Sequence, residues 1–269
     1  MKDVLLTFVQ GDNFLDNLDC EVFLNSIKQF KTFDKVCFVK KISQEKINWL
    51  SKYFDYVIEP THPINVPNCD RFICYYEWLS ENSNYEYILH LDFRDMILQK
   101  NPFDYMRQFP EKDLFVALEG MKIVDSSCNL MWANNLNRIL SMHKHKFEND
   151  WVVNAGNVGA KYSAFMNLCL IIFTNTNRPD NHVVFEQPIF NMLYPYFKKN
   201  PLVKICDPFE SPFCVIGEGV KYGFVKTQFI DGKICNEQGE PYYIYHQWDR
   251  NEHAQYFRDK LKNTLFFSL

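Results

Sequence analysis

Two periods organise the apolar residues of this chain. Val4 to Val9 is a short, almost wholly apolar run, as a buried strand is. Asp12 follows as a helix cap, and Phe14, Leu18, Phe23 and Ile27 then recur at helical spacing, which predicts a helix to about Phe30. The alternation continues with a strand over Lys35 to Val39, a helix from about Ser43 to Tyr53 and a short strand over Tyr56 to Ile58. Pro63 and Pro67 punctuate a loop, after which Phe72, Tyr75, Tyr76 and Leu79 fall on one helical stripe at i, i+3, i+4 and i+7. Tyr87 to Leu91 is a buried strand that runs straight into Asp92. Such alternation predicts βαβ units and a mainly parallel sheet.

Beyond residue 100 the pattern loosens. Phe115 to Leu118, Trp151 to Val153 and Tyr242 to Tyr245 read as strands, and Lys161 to about Phe173, Pro188 to Phe197 and Asn251 to Leu261 as helices. Ile230-Asp231-Gly232-Lys233 reads as a hairpin turn, because an Asp-Gly pair tolerates positive φ. The expected fold class is α/β: one domain over residues 1–269 with a central mixed, mostly parallel sheet flanked by helices.

Composition narrows the function classes. With 269 residues, 47% hydrophobic and 23% charged, the chain can bury a substantial core. A net charge of −4 argues against a broad nucleic-acid surface. The nine cysteines include no C-x-x-C pair, so a zinc ribbon or thioredoxin-like motif has no support. No apolar run approaches the ~18 residues of a membrane span, and the first residues do not read as a signal peptide. A cytoplasmic protein with reduced thiols and no transmembrane segment is the expectation. Neither a P-loop nor G-x-G-x-x-G occurs.

Chemistry concentrates where the apolar strand ends, in Asp92-Phe93-Arg94-Asp95. Carboxylates at the carboxyl end of a parallel strand sit where α/β folds bind ligands, and hard oxygen ligands suit Mg²⁺ or Mn²⁺. On spacing alone, Asp95 serves equally well as a partner of Arg94 or as a turn cap.

The stretch from Leu91 to Phe103 resembles the metal-binding strand of a GT-A glycosyltransferase family, which reads Asp-x-Arg-Asp, apolar residues, Gln, then Asn-Pro-Phe. Further matches follow in order: Arg71-Phe72 with its aromatic run, an Asn154-Ala155-Gly156 turn, Glu186-Gln187 followed by Asn191, and His246-Gln247-Trp248-Asp249-Arg250. The chain is similar in this to retaining lipooligosaccharide galactosyltransferases and to glycan-building transferases of large DNA viruses.

The resemblance implies a nucleotide-binding half to about residue 100 and a donor-sugar and acceptor half after it. It implies transfer of a sugar from a nucleotide-sugar donor, with a UDP-sugar favoured, onto a glycan or small-molecule acceptor. Asp95 would be the direct ligand of Mn²⁺ or Mg²⁺ with His246 as a further protein ligand, and Asp92 would either bind the ribose or share the metal. Arg71 would clamp a phosphate or a metal-site aspartate. Asn154, Ala155 and Gly156 would approach the donor sugar, and Phe8 and Val9 would flank the nucleobase. Of the two candidate catalytic residues, Gln187 would lie near the reacting carbon and inclines the expectation to retention of configuration, and Glu186 would bind donor hydroxyls. Two rivals are a sugar-nucleotide nucleotidyltransferase, which should carry a Gly-rich basic loop after the first strand, and a non-catalytic glycan-binding protein on a decayed transferase fold. Gln10-Gly11-Asp12-Asn13 offers one glycine and no basic residue, and the acids and the late histidine are retained.

Overall fold

The computed structural model describes residues 1–140, 149–176, 185–250 and 252–262. Its first hundred residues follow the expected alternation: β1 (Lys2–Gln10), α1 (Asp12–Leu15), α2 (Leu18–Lys28), β2 (Asp34–Lys40), α3 (Gln44–Leu50), β3 (Tyr56–Ile58), α4 (Pro67–Glu81), β4 (Tyr85–Leu91) and β5 (Met96–Leu98). Then come α5 (Pro102–Met106), β6 (Leu114–Lys122), α6 (Ser127–Leu140), β7 (Trp151–Lys161), α7 (Tyr162–Thr176), α8 (Glu186–Lys199) and β8 (Val203–Cys206). The chain closes with β9 (Cys214–Ile216), α9 (Gly217–Lys221), β10 (Gln228–Ile230), β11 (Lys233–Cys235), β12 (Ile244–His246) and α10 (Ala254–Lys262).

The main sheet has seven strands in the order β3-β2-β1-β4-β7-β6-β8. Neighbours pair in parallel except where β7 runs antiparallel between β4 and β6. Its five inner strands are buried on both faces over most of their length, and the edge strands β3 and β8 are only partly buried. Along β1, Leu5 and Val9 join a core with Phe23, Leu24 and Ile27 of α2, while Val4, Leu6 and Phe8 join the opposite core with Phe72 and Tyr75 of α4 and Phe165 of α7. A smaller sheet, β5-β12-β9, packs beside it.

Three readings are corrected here. The helix expected from Asp12 to Phe30 is two helices: Asn17, whose side chain accepts from the Asp19 N–H, interrupts it and caps the second. Asp12 is the first residue of α1 rather than its cap; Gly11 takes the cap position at φ 85°, and the Asp12 carboxylate accepts from the Ser43 N–H at 2.8 Å. Asn154-Ala155-Gly156 is not a turn after a short strand; it lies within the eleven residues of β7. The expected hairpin at Asp231-Gly232 is present, with φ of 49° and 77°, and α10 closes the described chain a little later than expected. His143-Lys144-His145 lies outside the described residues.

The order of strands explains where a site forms. The chain lays β2 and β3 outward from β1, then returns to place β4 on the other side of β1. The carboxyl ends of β1 and β4 therefore diverge at a topological switch point, where open α/β sheets have a crevice.

Candidate active site

A cleft of about 320 Å³ opens at that point, lined by Phe8, Val9 and Gln10 from the end of β1, Phe14, Pro67, Asn68 and Arg71 from the helical side, and Asp92 to Asp95 after β4. A larger cavity of about 470 Å³ lies between β5, the β10–β11 hairpin and α10, and the only acid in its lining is Asp231. Chemistry rather than size marks the smaller cleft.

Asp92 is the first residue after β4, and its N–H donates to the Gly156 carbonyl at 2.7 Å. His246 arrives from the far end of the chain because β12 pairs antiparallel with β5, setting His246 opposite Met96. That register brings the imidazole beside Asp95. His246 Nε2 lies 3.7 Å from Asp92 Oδ2 and 3.6 Å from Asp95 Oδ1. The ligand atoms of the three residues fall within 4.8 Å of one another, as a divalent-metal site requires. Left-handed residues flank the ligands: Arg94 at φ 88° precedes Asp95, and Gln247 at φ 57° follows His246. Non-glycine residues adopt this region at a cost, and the surroundings hold it. The Gln247 N–H donates to the Asp95 carbonyl at 2.6 Å and ties the two ligand segments together.

The donor set fits a hard divalent cation. Two carboxylates and an imidazole suit Mn²⁺ or Mg²⁺ and lack the thiolates of a soft site. The histidine is oriented for it. Asn154 Oδ1 accepts from the Gly156 N–H at 3.0 Å and from Asn157 Nδ2 at 2.7 Å, so it also accepts from His246 Nδ1 at 3.1 Å. Nδ1 therefore carries a proton, and Nε2 is the ring nitrogen that faces the acids. Asn154 Nδ2 donates in turn to Glu119 Oε1 at 2.9 Å. Space is kept by Gly156, where a Cβ would fall onto the Asp92 carboxylate and 2.7 Å from His246 Cε1.

Charge is balanced by arginines. Arg71, only 4% exposed, donates through Nη1 to Asp92 Oδ1 at 2.5 Å and through Nη2 to Glu186 Oε1 at 3.3 Å. Burial pushes the Asp92 carboxyl up, but the Arg71 guanidinium, by its charge and its hydrogen bond, outweighs it and holds the pKa well below the usual range. Burial alone would lower His246; the facing carboxylates of Asp95 and Asp92 raise it instead. At Glu186 burial wins over Arg71 and pushes the carboxyl up to about 7. Burial also raises Glu119, and burial with the nearby Arg71 cation keeps His90 neutral.

The structure thus brings Phe8, Val9, Arg71, Asp92 and Asp95 around one cleft, and His246 completes the acid pair. It gives other residues narrower duties. The Asn154 amide is committed behind His246 rather than exposed to the cleft. The Gln187 amide is engaged by β7, accepting from the Ala155 N–H at 2.9 Å and donating to the Val153 carbonyl at 2.6 Å. Between Val153 and Val158 the register of β7 against β6 shifts, so Asn154 to Asn157 form a bulge that passes beside the Asp92 backbone. Sequence reasoning gives Arg94 only as a partner of Asp95, whereas its guanidinium also gathers Asp249 and Asp19, and it gives Glu119, a lone acid inside an apolar strand, no role behind the histidine.

Comparison with known proteins agrees on the fold. No protein-family model matches the chain, and no curated protein matches its sequence. Among solved structures, the galactosyltransferase LgtC in complex with donor and acceptor sugar analogs superposes with a TM-score of 0.53 at 13% identity, over 97% of this chain and 95% of that one. An active-site mutant of LgtC gives 0.55 at 12% identity over the same shares. The glycosyltransferase GlyE of Streptococcus pneumoniae TIGR4 gives 0.54 at 11% identity, covering 100% of this chain and 61% of that one. The α/β architecture, a mostly parallel seven-stranded sheet between helical layers, is therefore the GT-A fold of these glycosyltransferases.

Proposed function

We propose that this chain is a divalent-metal-dependent glycosyltransferase that takes a sugar from a nucleotide-sugar donor, a UDP-sugar in the first instance, and passes it to a glycan or small-molecule acceptor with retention of configuration. The observation that carries the reading is the convergence of Asp92, Asp95 and His246 beside a cleft at the switch point of a glycosyltransferase fold. Neighbours with this fold include an enzyme captured with donor and acceptor sugar analogs, which is the class of ligand proposed here. The nucleotide-binding half runs to about residue 100, with donor-sugar and acceptor contacts contributed by the rest of one domain.

Asp92, Asp95 and His246 would hold Mn²⁺ or Mg²⁺, and the bound ion would supply charge neutralisation to a departing diphosphate. The chain's own residues do the remainder. Phe8 and Val9 offer apolar walls for a nucleobase. Arg71 fixes Asp92 and adds positive potential beside the phosphates. Asn154 keeps His246 in the metal-binding tautomer. Gln187 holds the β7 bulge, so the Ala155-Gly156 backbone presents a surface with little side chain to a donor sugar. Glu186 and Gln187 remain the proposed groups nearest the reacting carbon, and a Glu186 carboxyl titrating near neutrality can accept or donate a bond to a sugar hydroxyl.

The test is a screen of UDP- and GDP-sugars for donor hydrolysis with Mn²⁺, with Mg²⁺ and with chelator. At least one donor should turn over only with metal, and Asp95→Ala should abolish it. Metal-dependent UDP binding with no hydrolysis or transfer from any donor would favour a glycan-binding protein on a decayed transferase fold.

A further inference from the structure

We propose that Trp151, Phe209 and Phe224 form an acceptor subsite, apart from the donor cleft, on which a sugar ring beyond the accepting unit stacks, so that the acceptor is an oligosaccharide or longer glycan rather than a small molecule. This inference rests on the transferase reading above. Phe209 and Phe224 are 45% and 40% exposed, and both line two hollows, standing as a ridge between them. One hollow, of about 430 Å³, has Trp151, Asp125 and Asn149 in its lining; the other, of about 170 Å³, has Lys226 and Glu237. The rings of Trp151 and Phe209 meet at 6.1 Å between centroids and 63° between planes.

The loops that carry the ridge are held firmly. Asp207 Oδ1 accepts from the Phe209 N–H at 2.9 Å, the Asp207 carbonyl accepts from the Ser211 N–H at 2.8 Å, and Tyr242 donates to the Pro208 carbonyl at 2.6 Å. Phe224 follows Gly223 at φ 73°, and its N–H donates to the Gly219 carbonyl at 3.0 Å. The two loops meet over Gly120, where a Cβ would collide with Val225 and come within 3.2 Å of Pro208. Rings fixed in this way lose little freedom when a ligand arrives. An apolar ridge kept in water at a rigid position marks an interaction surface.

Its place in the fold and its rim select the ligand. β4 and β6 both run antiparallel to β7, and β8 runs parallel to β6. Gly120 to Lys122, at the end of β6, and Asp207 to Phe209, after β8, therefore lie at the same carboxyl edge of the sheet as Asp92. Trp151 opens β7 three residues, ~10 Å, before Asn154. The segment that precedes Phe224 is fastened to the metal-site histidine's neighbour, since the Glu218 N–H donates to Gln247 Oε1 at 3.3 Å. The ridge thus continues outward from the candidate site along one edge. Aromatic rings take the C–H face of a sugar, and the amide, carboxylate and ammonium groups around them take its hydroxyls. Asp125 and Glu237 against Lys226 give the rim both signs of charge, which suits an uncharged glycan better than a phosphate or an acidic peptide.

The experiment screens wild type, Phe224→Ala and Phe224→Tyr on an array of neutral glycans and their monosaccharides, without donor and with chelator, and takes the best-bound glycan into calorimetry. Wild type should retain at least one oligosaccharide and no monosaccharide. Phe224→Ala should weaken that binding about 10-fold, and Phe224→Tyr, which keeps the ring, should bind as wild type does. Phe209→Ala, on the other loop, should give the same loss and serves if Phe224→Ala does not fold. No glycan retained by wild type, or equal retention by folded variants that lack a ring, overturns the proposal. A wild-type dimer in light scattering that Phe224→Ala dissolves also overturns it, because a second copy would then cover the ridge. Mn²⁺-dependent UDP binding by wild type is measured alongside. Its presence without glycan binding removes the subsite alone; its absence removes the transferase reading, and this inference with it.

Discussion

Gly156 shows how little room surrounds the acids. A methyl group there would meet the Asp92 carboxylate and the His246 ring, neither of which is the mobile end of a long side chain. Gly156→Ala should therefore destabilise the fold by about 1–3 kcal/mol in chemical denaturation, as overpacking does, and weaken Mn²⁺ binding together with it. Glu186 makes a different prediction. Its carboxyl titrates near 4.5 in the unfolded chain and at about 7 in the folded one. Below 4.5 both states keep the proton; between the two values the folded chain retains a proton that the unfolded chain has released, so stability falls as pH rises through this window. Glu186→Gln removes that slope. Measured with chelator present, the variant should match wild type near pH 4 and exceed it near pH 8 by a margin on the order of 3 kcal/mol or less. A constant difference across the range would show that Glu186 does not titrate there. The reach of the sequence is clearest at this scale. Asp92, Asp95 and His246 were legible because strand-end acids and a late histidine sit in recognisable surroundings. The sequence marks Asn154 as a donor-sugar residue; that its side chain also bonds His246 Nδ1 is not written there, since nothing local in a sequence says which way an amide faces.

Among the elements, β7 carries the most function and was the least legible. Asn154-Ala155-Gly156-Asn157 has the composition of a turn, and only the pairing of its flanks, Val153 with Leu118 and Val158 with Val116 and His90, keeps it within a strand. The bulge is held by a side chain from another element, Gln187 at the start of α8, which satisfies the Ala155 N–H and the Val153 carbonyl. Gln187→Ala would leave those backbone groups without their partners. It should cost about 1–3 kcal/mol of stability and raise hydrogen exchange at residues 153–157 above that in the rest of the sheet. Uniform exchange across the sheet would mean that the bulge stands without it. The break between α1 and α2 escaped the sequence for a related reason: apolar spacing continues across it, and Asn17 acts as a cap only once the chain has turned.

Over the whole molecule, the strand order does what no single motif does. It returns β4 to the side of β1, opens a crevice at their carboxyl ends, and uses the smaller β5-β12-β9 sheet to carry a histidine from near residue 250 back to acids near residue 92. The parallel layering was legible in the alternating strands and helices of the first hundred residues. The long-range pairing of β12 with β5 was not, because three-residue strands leave almost no periodic signal. The claim that depends on all of this is that Asp92, Asp95 and His246 grip a divalent ion that in turn binds a nucleoside diphosphate. Titration calorimetry of UDP into the protein, with Mn²⁺ and with chelator, tests it most directly. UDP should bind wild type with Mn²⁺, and its affinity should fall by about 100-fold or more both with chelator and in Asp95→Ala. Equal UDP binding with and without metal, or in wild type and Asp95→Ala alike, would contradict it.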